Sequence, residues 1–172
     1  MENKTPAQRR SQAKPAEKPE DVWGYLTWYL NKFGDTSEKN LRDKLTNKTD
    51  NQEWIDRAIE KAIDLGFQSD TRFAEMIARR GFESKHWGRS RIEQEMMKKG
   101  VPSDIAKEAI GAWSDEHPED RAAEALTKKF RDREIAEQKD QAKATRYLAS
   151  RGFDFGCISA AIKLHNDSLE GD

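Results

Sequence analysis

Apolar residues in the middle of the chain recur with the spacing of two short amphipathic helices. Ile92 and Met96 stand four residues apart, a Lys-Gly step follows at Gly100, and Ile105 and Ala109 then resume the four-residue spacing. Such spacing places apolar side chains on one helix face, and glycine readily adopts the left-handed conformation that ends a helix. The pattern therefore predicts two helices joined by a turn.

This pattern occurs three times. Residues 144–162 repeat residues 92–110 at an offset of 52, and Gly152 again marks the helix stop. Residues 41–59 form a third copy at an offset of 51, in which Thr49 replaces the glycine. The chain thus contains three copies of one helix-turn-helix pattern.

A third helix is predicted before each pair. Residues 72–80 resemble residues 121–129, and the apolar stretch 23–30 takes the same place before the first copy. No stretch shows the two-residue alternation of a β-strand. We therefore predict an all-α protein of about nine helices in three tandem three-helix repeats. Because each repeat is too small to bury its apolar face alone, we expect the repeats to stack into an elongated array.

The predicted domain boundaries follow from the repeats and from composition. The first 20 residues hold three of the five prolines and no aromatic residue, which is typical of a disordered segment. We predict a disordered basic tail, three repeats and a short C-terminal tail, at residues 1–20, 21–68, 69–116, 117–166 and 167–172.

Charge and hydropathy limit the function classes. Charged residues make up 37% of the chain, and no apolar run reaches the length of a membrane span, so we expect a cytoplasmic protein. The net charge is -1, and from Asp21 onward 26 basic residues face 29 acidic ones. A protein held on nucleic acid mainly by excess positive charge would instead carry a clear net positive charge. Any contact with DNA must therefore come from local patches.

Individual residues in and around the repeats match one known family in order and spacing. They are Gly66-Phe67-Gln68-Ser69-Asp70-Thr71-Arg72-Phe73-Ala74, Gly88, Ile92, Glu95, Lys99-Gly100-Val101 and Ile105, with flanking matches at Ser37-Glu38, Leu41-Arg42, Lys44-Leu45, Tyr147-Leu148, Arg151-Gly152-Phe153 and Ile158. Over roughly Tyr25 to Leu164, the chain resembles the bacterial regulatory proteins of the RecX family.

The resemblance implies a modulator of the RecA recombinase. Proteins of the RecX family are elongated, lie in the helical groove of the RecA filament on single-stranded DNA, and lower its ATP hydrolysis, strand exchange and co-protease activity. A stacked array suits that role, because linked weak contacts with several protomers gain avidity. We expect a monomer whose partner is the RecA filament, and weak binding to single- or double-stranded DNA stays open.

Five basic residues on two equivalent helices form a candidate patch for phosphates or an acidic partner surface. They are Arg89, Arg91 and Lys98 in the second repeat and Lys143 and Arg146 in the third. A solvated helix face explains the same residues equally well.

Two further candidates, Lys99 and Arg151, share one repeat position with Lys48, just before the helix stop. A ladder of cations at this position is one interpretation. The alternative is structural, since a cation in the last turn is stabilised by the helix dipole by about 0.3 to 1 kcal/mol.

Aromatic residues leave two interpretations open. Trp23, Tyr25, Trp28 and Tyr29 crowd the first predicted helix, either as a cap packed on the first repeat or as an exposed anchor for a partner. Trp87, in the linker before Gly88, is either a loop anchor or a stacking contact.

Catalytic interpretations find little support. His86, His117 and His165 are widely separated, and none stands with Cys157 or a carboxylate at a metal-ligand spacing. Cys157 occupies an apolar repeat position, so we expect it to be buried. We predict no enzymatic activity, no cofactor and no metal. Two alternatives to the filament regulator remain, a helical DNA-binding module and a generic helical scaffold, although the third helices lack the Arg, Lys, Asn and Gln density of a recognition helix.

Overall fold

Nine α-helices and no strand occur in the part of the chain that the computed structural model describes, residues 15–113 and 117–170. The helices are α1 Pro19–Phe33, α2 Glu38–Thr46, α3 Gln52–Asp64, α4 Asp70–Arg79, α5 Arg89–Lys98, α6 Ser103–Gly111, α7 Pro118–Phe130, α8 Gln138–Ser150 and α9 Phe155–Glu170. This confirms the predicted all-α fold of three tandem three-helix repeats. None of these helices is long and apolar enough to cross a membrane.

The first and last helices extend past the tail boundaries that we predicted. Helix α1 begins at Pro19, two residues inside the predicted N-terminal tail, because proline suits the first helical turn and the Asp21 carboxylate accepts a hydrogen bond from the backbone of Glu17 at 3.0 Å. Helix α9 continues to Glu170, past the predicted boundary at residue 167. The rest of the predicted basic tail, residues 1–14, lies outside the described residues, as do residues 171–172.

The first repeat has its own core. Its three helices bury a continuous apolar cluster made of Val22, Leu26, Leu41, Leu45, Ile55, Ala58, Ile59 and Ala62. Local caps define the helix starts, since the Ser37 hydroxyl accepts from the Asn40 backbone at 3.1 Å and the Asn51 side chain accepts from the Trp54 backbone at 3.2 Å. This repeat, up to Asp70, is one of two compact units.

The second and third repeats together form the other compact unit, from Thr71 onward. Each has a buried cluster, built around Ile92 and Met96 in the second repeat and around Leu126 and Leu148 in the third. Cys157 belongs to the third cluster and is buried, as predicted. Gly100 and Gly152 both have positive φ angles, +79° and +85°, and end their helices as predicted.

One element of the second repeat was not predicted. Helix α4 continues into a short π-helical segment, Arg80–Ser84, where a helix end was expected. Within it Phe82 is buried, and Gly81 lies so close to Ile92 that a Cβ on the glycine would come within 2.6 Å of that side chain. The wider turn therefore keeps Phe82 in the core while glycine makes room for α5.

Candidate functional site

The seven predicted basic residues all lie in the second compact unit, in three places. Arg89 and Arg91 are at the start of α5, Lys98 and Lys99 at its end, and the others follow α8 from Lys143 through Arg146 to Arg151. The two ends of α5 are about 14 Å apart at 1.5 Å per residue. The chain therefore does not bring all seven into one cluster.

A backbone contact joins the start of α5 to the end of α8. The Gly88 N–H donates to the Arg151 carbonyl at 2.8 Å. A Cβ on Gly88 would lie 2.6 Å from the carbonyl carbon of Gly152, and one on Gly152 would lie 2.7 Å from the Cβ of Arg91. Only glycine allows two backbones to approach this closely. Arg89, Arg91 and Arg151 are thus placed around one junction between the second and third repeats.

Arg151 bridges the two repeats. Its guanidinium donates to the carbonyl of Lys85 and lies 4.6 Å from the centre of the Tyr147 ring. The Nε atom is buried and has no hydrogen-bond partner among the described residues. The Arg151 side chain therefore contributes to the contact between the second and third repeats.

Arg89 and Arg91 also have local contacts. Arg89 donates to the carbonyls of Ile110 at 3.3 Å and Trp113 at 3.0 Å, at and just beyond the end of α6. Arg91 lies 5.5 Å from the centre of the Trp87 ring, and Trp87 packs against the second core as a loop anchor. Both arginines thus help to position α5.

The remaining four predicted residues are exposed on helix surfaces. Lys98 and Arg146 are exposed, Lys99 is 3.6 Å from Glu95, and Lys143 lies 5.6 Å from the centre of the Phe130 ring. Exposed lysine and arginine heads can attract an anionic partner. Of the seven predicted residues, these four are exposed, while the three junction arginines make contacts within the protein.

The junction contains a histidine whose role the sequence did not reveal. His86 is buried and has a φ of +47°, an uncommon conformation for a residue with a side chain. Its Nε2 accepts from the Lys128 ammonium, which leaves the ring proton on Nδ1, 3.1 Å from a Glu124 oxygen but outside hydrogen-bond geometry. Arg121 donates to the Trp87 carbonyl at 3.1 Å in the same loop. Helix α7 of the third repeat therefore contacts the linker that precedes α5 through hydrogen bonds from Lys128 and Arg121.

The pKa of His86 is lowered from its usual value of 6.5. Burial is the largest cause, and the positive charges of Lys128, Arg151 and Arg121 act in the same direction, while Glu124 opposes them. The neutral ring is therefore the form that the folded junction accepts.

We expect acid to weaken the junction through His86. Because the unfolded chain binds this proton more strongly than the folded chain, the stabilising contribution is complete above pH 6.5 and is lost as the pH falls below that value. His86→Asn removes the titration, and asparagine tolerates a positive φ. Urea unfolding at pH 7.5 and 5.5 should show a smaller loss of unfolding free energy in the variant.

His117→Asn is the matched control, because the side chain of His117 is 69% exposed. It should not reproduce the smaller loss of unfolding free energy that is expected for His86→Asn. An equal pH dependence in wild type and His86→Asn would contradict the assignment.

A pocket of about 480 Å³ also lies at this junction. Arg89, Arg121, Phe153, Asp154 and Cys157 are among its lining residues. No histidine is among the described residues that line it, and the described chain contains no group of three or more His, Cys, Asp or Glu placed to hold a metal ion. The Asp154 carboxylate accepts from the Cys157 backbone at 2.9 Å, so it caps α9.

Family models match two parts of the chain. Residues 69–110 match the model described as RecX, second three-helix domain, and residues 115–162 match RecX, third three-helix domain. Together these segments make up more than half of the chain.

Relatives with the name "Regulatory protein RecX" are also similar. The one from Chromohalobacter salexigens is 37% identical over 129 residues, which is 74% of this chain and 82% of the relative. The one from Photobacterium profundum is 31% identical over 160 residues, 93% of this chain and 58% of the relative. The chain thus spans little more than half of the second protein's length.

A crystal structure of RecX from Lactobacillus salivarius has the same fold. The two structures agree with a TM-score of 0.71 at 23% sequence identity, over 86% of this chain and 96% of the other.

Proposed function

Because the chain belongs to the RecX family of regulatory proteins, we propose that it binds the filament formed by the RecA recombinase on single-stranded DNA and inhibits it. Family membership is the observation that carries this proposal. The inhibited activities would be ATP hydrolysis, strand exchange and co-protease activity. The protein would act as a monomer in the cytoplasm, by occupancy alone and without chemistry of its own.

The proposed contact surface consists of Lys98, Lys99, Lys143 and Arg146. These side chains project from α5 and α8, whose positions the Gly88 to Arg151 contact couples. A surface held in place before binding loses less conformational entropy when it docks. Contacts from several repeats would add through high effective concentration, and the bound chain would obstruct the groove through which a duplex enters.

A DNA-binding module is the second candidate function. The exposed cations of α5 and α8 support it as well, since they would also attract phosphates. It differs in its partner, because such a module would act on bare DNA and would need no filament.

ATP hydrolysis by RecA on saturating single-stranded DNA separates the two candidates. The protein is titrated to well below one copy per RecA, with a parallel set containing excess bare DNA. A filament regulator inhibits in both sets. Inhibition that vanishes with the excess DNA would favour the DNA-binding module, and no inhibition would contradict the proposal.

Charge reversal tests the contact surface. We expect the double substitution Lys98→Glu and Arg146→Glu to raise the protein concentration for half inhibition at least about tenfold, because each reversal replaces attraction by repulsion and 1.4 kcal/mol corresponds to a factor of ten. Both side chains are exposed, so the helical circular dichroism and the melting transition should remain unchanged.

Lys107→Glu with Lys163→Glu is the matched control. These exposed lysines lie on α6 and α9 of the same compact unit and give the same change in net charge. The control should inhibit like wild type. Equal losses in the two double variants would mean that net charge, and not this surface, determines binding.

A further inference from the structure

One face of α1 exposes aromatic rings that the core of the first repeat does not use. Trp28 is 48% exposed and Phe33 59% exposed, whereas the core receives Val22 and Leu26 from the same helix. The aromatic residues of this helix therefore divide between the core of the repeat and its exposed surface. Trp23, Tyr25 and Tyr29 are partly buried against the core, and Trp28 and Phe33 stand beside them in solvent.

The rings form one continuous surface, here called the Trp28 face and defined as Tyr25, Trp28, Tyr29, Lys32 and Phe33. Ring centres are separated by 5.5 Å between Tyr25 and Trp28, 6.0 Å between Trp28 and Phe33, and 4.8 Å between Tyr29 and Phe33. The residues recur at three- and four-residue intervals, so they occupy one side of the helix. A contiguous exposed aromatic surface marks a site of interaction.

The charged side chains that lie over these rings are lysines. No Asp or Glu occurs between Val22 and Gly34. The Lys32 ammonium lies 4.9 Å from the Trp28 ring centre and 5.4 Å from that of Phe33, and the Lys48 ammonium lies 4.5 Å from that of Tyr25. The nearest acidic residue on α1 is Asp21, at the start of the helix, where its carboxylate accepts a hydrogen bond from the Glu17 backbone N–H.

Aromatic rings interleaved with cations match the chemistry of single-stranded nucleic acid. Unpaired bases stack on aromatic side chains, and lysines neutralise the adjacent phosphates. A duplex hides its base faces within its own stack, so it cannot use such a surface. An apolar protein partner would have no need of the two lysines.

We propose that the Trp28 face is a binding site for single-stranded nucleic acid, on which bases stack against Trp28 and Phe33 while Lys32 and Lys48 contact phosphates. This site lies in the first repeat and shares no residue with the α5 and α8 surface. It binds the strand without RecA, so it is independent of the proposed filament inhibition.

The test is binding of the full-length protein to fluorescently labelled dT20 and rU20 at low salt, without RecA, followed by fluorescence anisotropy. Comparison of the two oligonucleotides shows whether the site prefers DNA or RNA. Stacking on an aromatic side chain contributes about 1 to 3 kcal/mol per base, so Trp28→Leu should raise Kd about tenfold or more. Trp28→Phe keeps a ring and should retain most of the affinity.

Two controls separate stacking from simple apolar contact and from charge elsewhere. Leu65→Ala removes a 54% exposed apolar side chain of the same unit and should leave Kd unchanged. The Lys107→Glu and Lys163→Glu double variant changes exposed charges outside both proposed surfaces and should still bind the oligonucleotide. Lys32→Ala should lower the slope of log Kd against log salt by about 0.7, the value for one phosphate contact on a single strand.

Three outcomes would overturn the proposal. They are no binding of either oligonucleotide at low salt, equal affinity of Trp28→Leu and Trp28→Phe, and equal competition by a duplex of the same length. Equal affinity of the two Trp28 variants would show that no base stacks on a ring at this position. Inhibition of RecA is measured separately, so either proposal can fail while the other holds.

Discussion

Gly152→Ala is expected to lower the free energy of unfolding by about 2 to 4 kcal/mol. The φ of Gly152 is +85°, where alanine costs about 1 kcal/mol or more. The added Cβ would also meet the backbone of Arg91, which cannot turn aside as a flexible side chain can, and such overpacking costs about 1 to 3 kcal/mol. Urea unfolding followed by circular dichroism measures the loss.

Gly66→Ala is the matched control for this substitution. Gly66 has a similar φ of +71°, but a Cβ there would meet no described atom within 4 Å. It should therefore show only the conformational penalty, about 1 kcal/mol. If Gly152→Ala destabilises no more than Gly66→Ala, the close approach of α8 to α5 does not contribute to stability.

His165→Ala is the second substitution with a large expected effect, about 2 to 4 kcal/mol. His165 is 1% exposed, its Nε2 donates to the Arg133 carbonyl at 3.0 Å, and its Nδ1 accepts from the Thr127 hydroxyl at 3.2 Å. Alanine would leave a cavity and deprive the Arg133 carbonyl of its donor. The measurement is again the free energy of unfolding in urea.

The same change at an exposed histidine provides the comparison. The side chain of His117 is 69% exposed and interacts with Glu119 at 3.3 Å. His117→Ala should change the free energy of unfolding by no more than about 0.5 kcal/mol. Similar effects at the two positions would show that the buried hydrogen bonds of His165 add little.

The helices were predictable because their signals are local. The four-residue spacing of Ile92 and Met96, and the glycine stops at Gly100 and Gly152, depend on neighbours within one or two turns. The end of α9 was harder to predict. This helix reaches Glu170, and its residue His165 donates to the Arg133 carbonyl, 32 residues earlier in the chain. No short-range pattern contains such a contact.

The sequence identifies the basic residues of the candidate site, but not which of them make contacts within the protein and which stay exposed. Lys98 and Arg146 are exposed cations, as a solvated helix face implies. Arg89 and Arg151 look the same in the sequence, yet one donates to a carbonyl 21 residues later and the other to a carbonyl 66 residues earlier. His86 gave no local signal at all, because its environment is formed by α7.

The all-α fold, the three repeats and the resemblance to the RecX family can be read from the amino-acid order, because periodicity and motif order are properties of the chain alone. The packed fold is needed to see which cations contact the junction and which face solvent, that Gly88 and Gly152 meet, and that Trp28 and Phe33 remain exposed. Burial and hydrogen-bond partners arise when segments distant in sequence pack together, so each such contact depends on the whole fold.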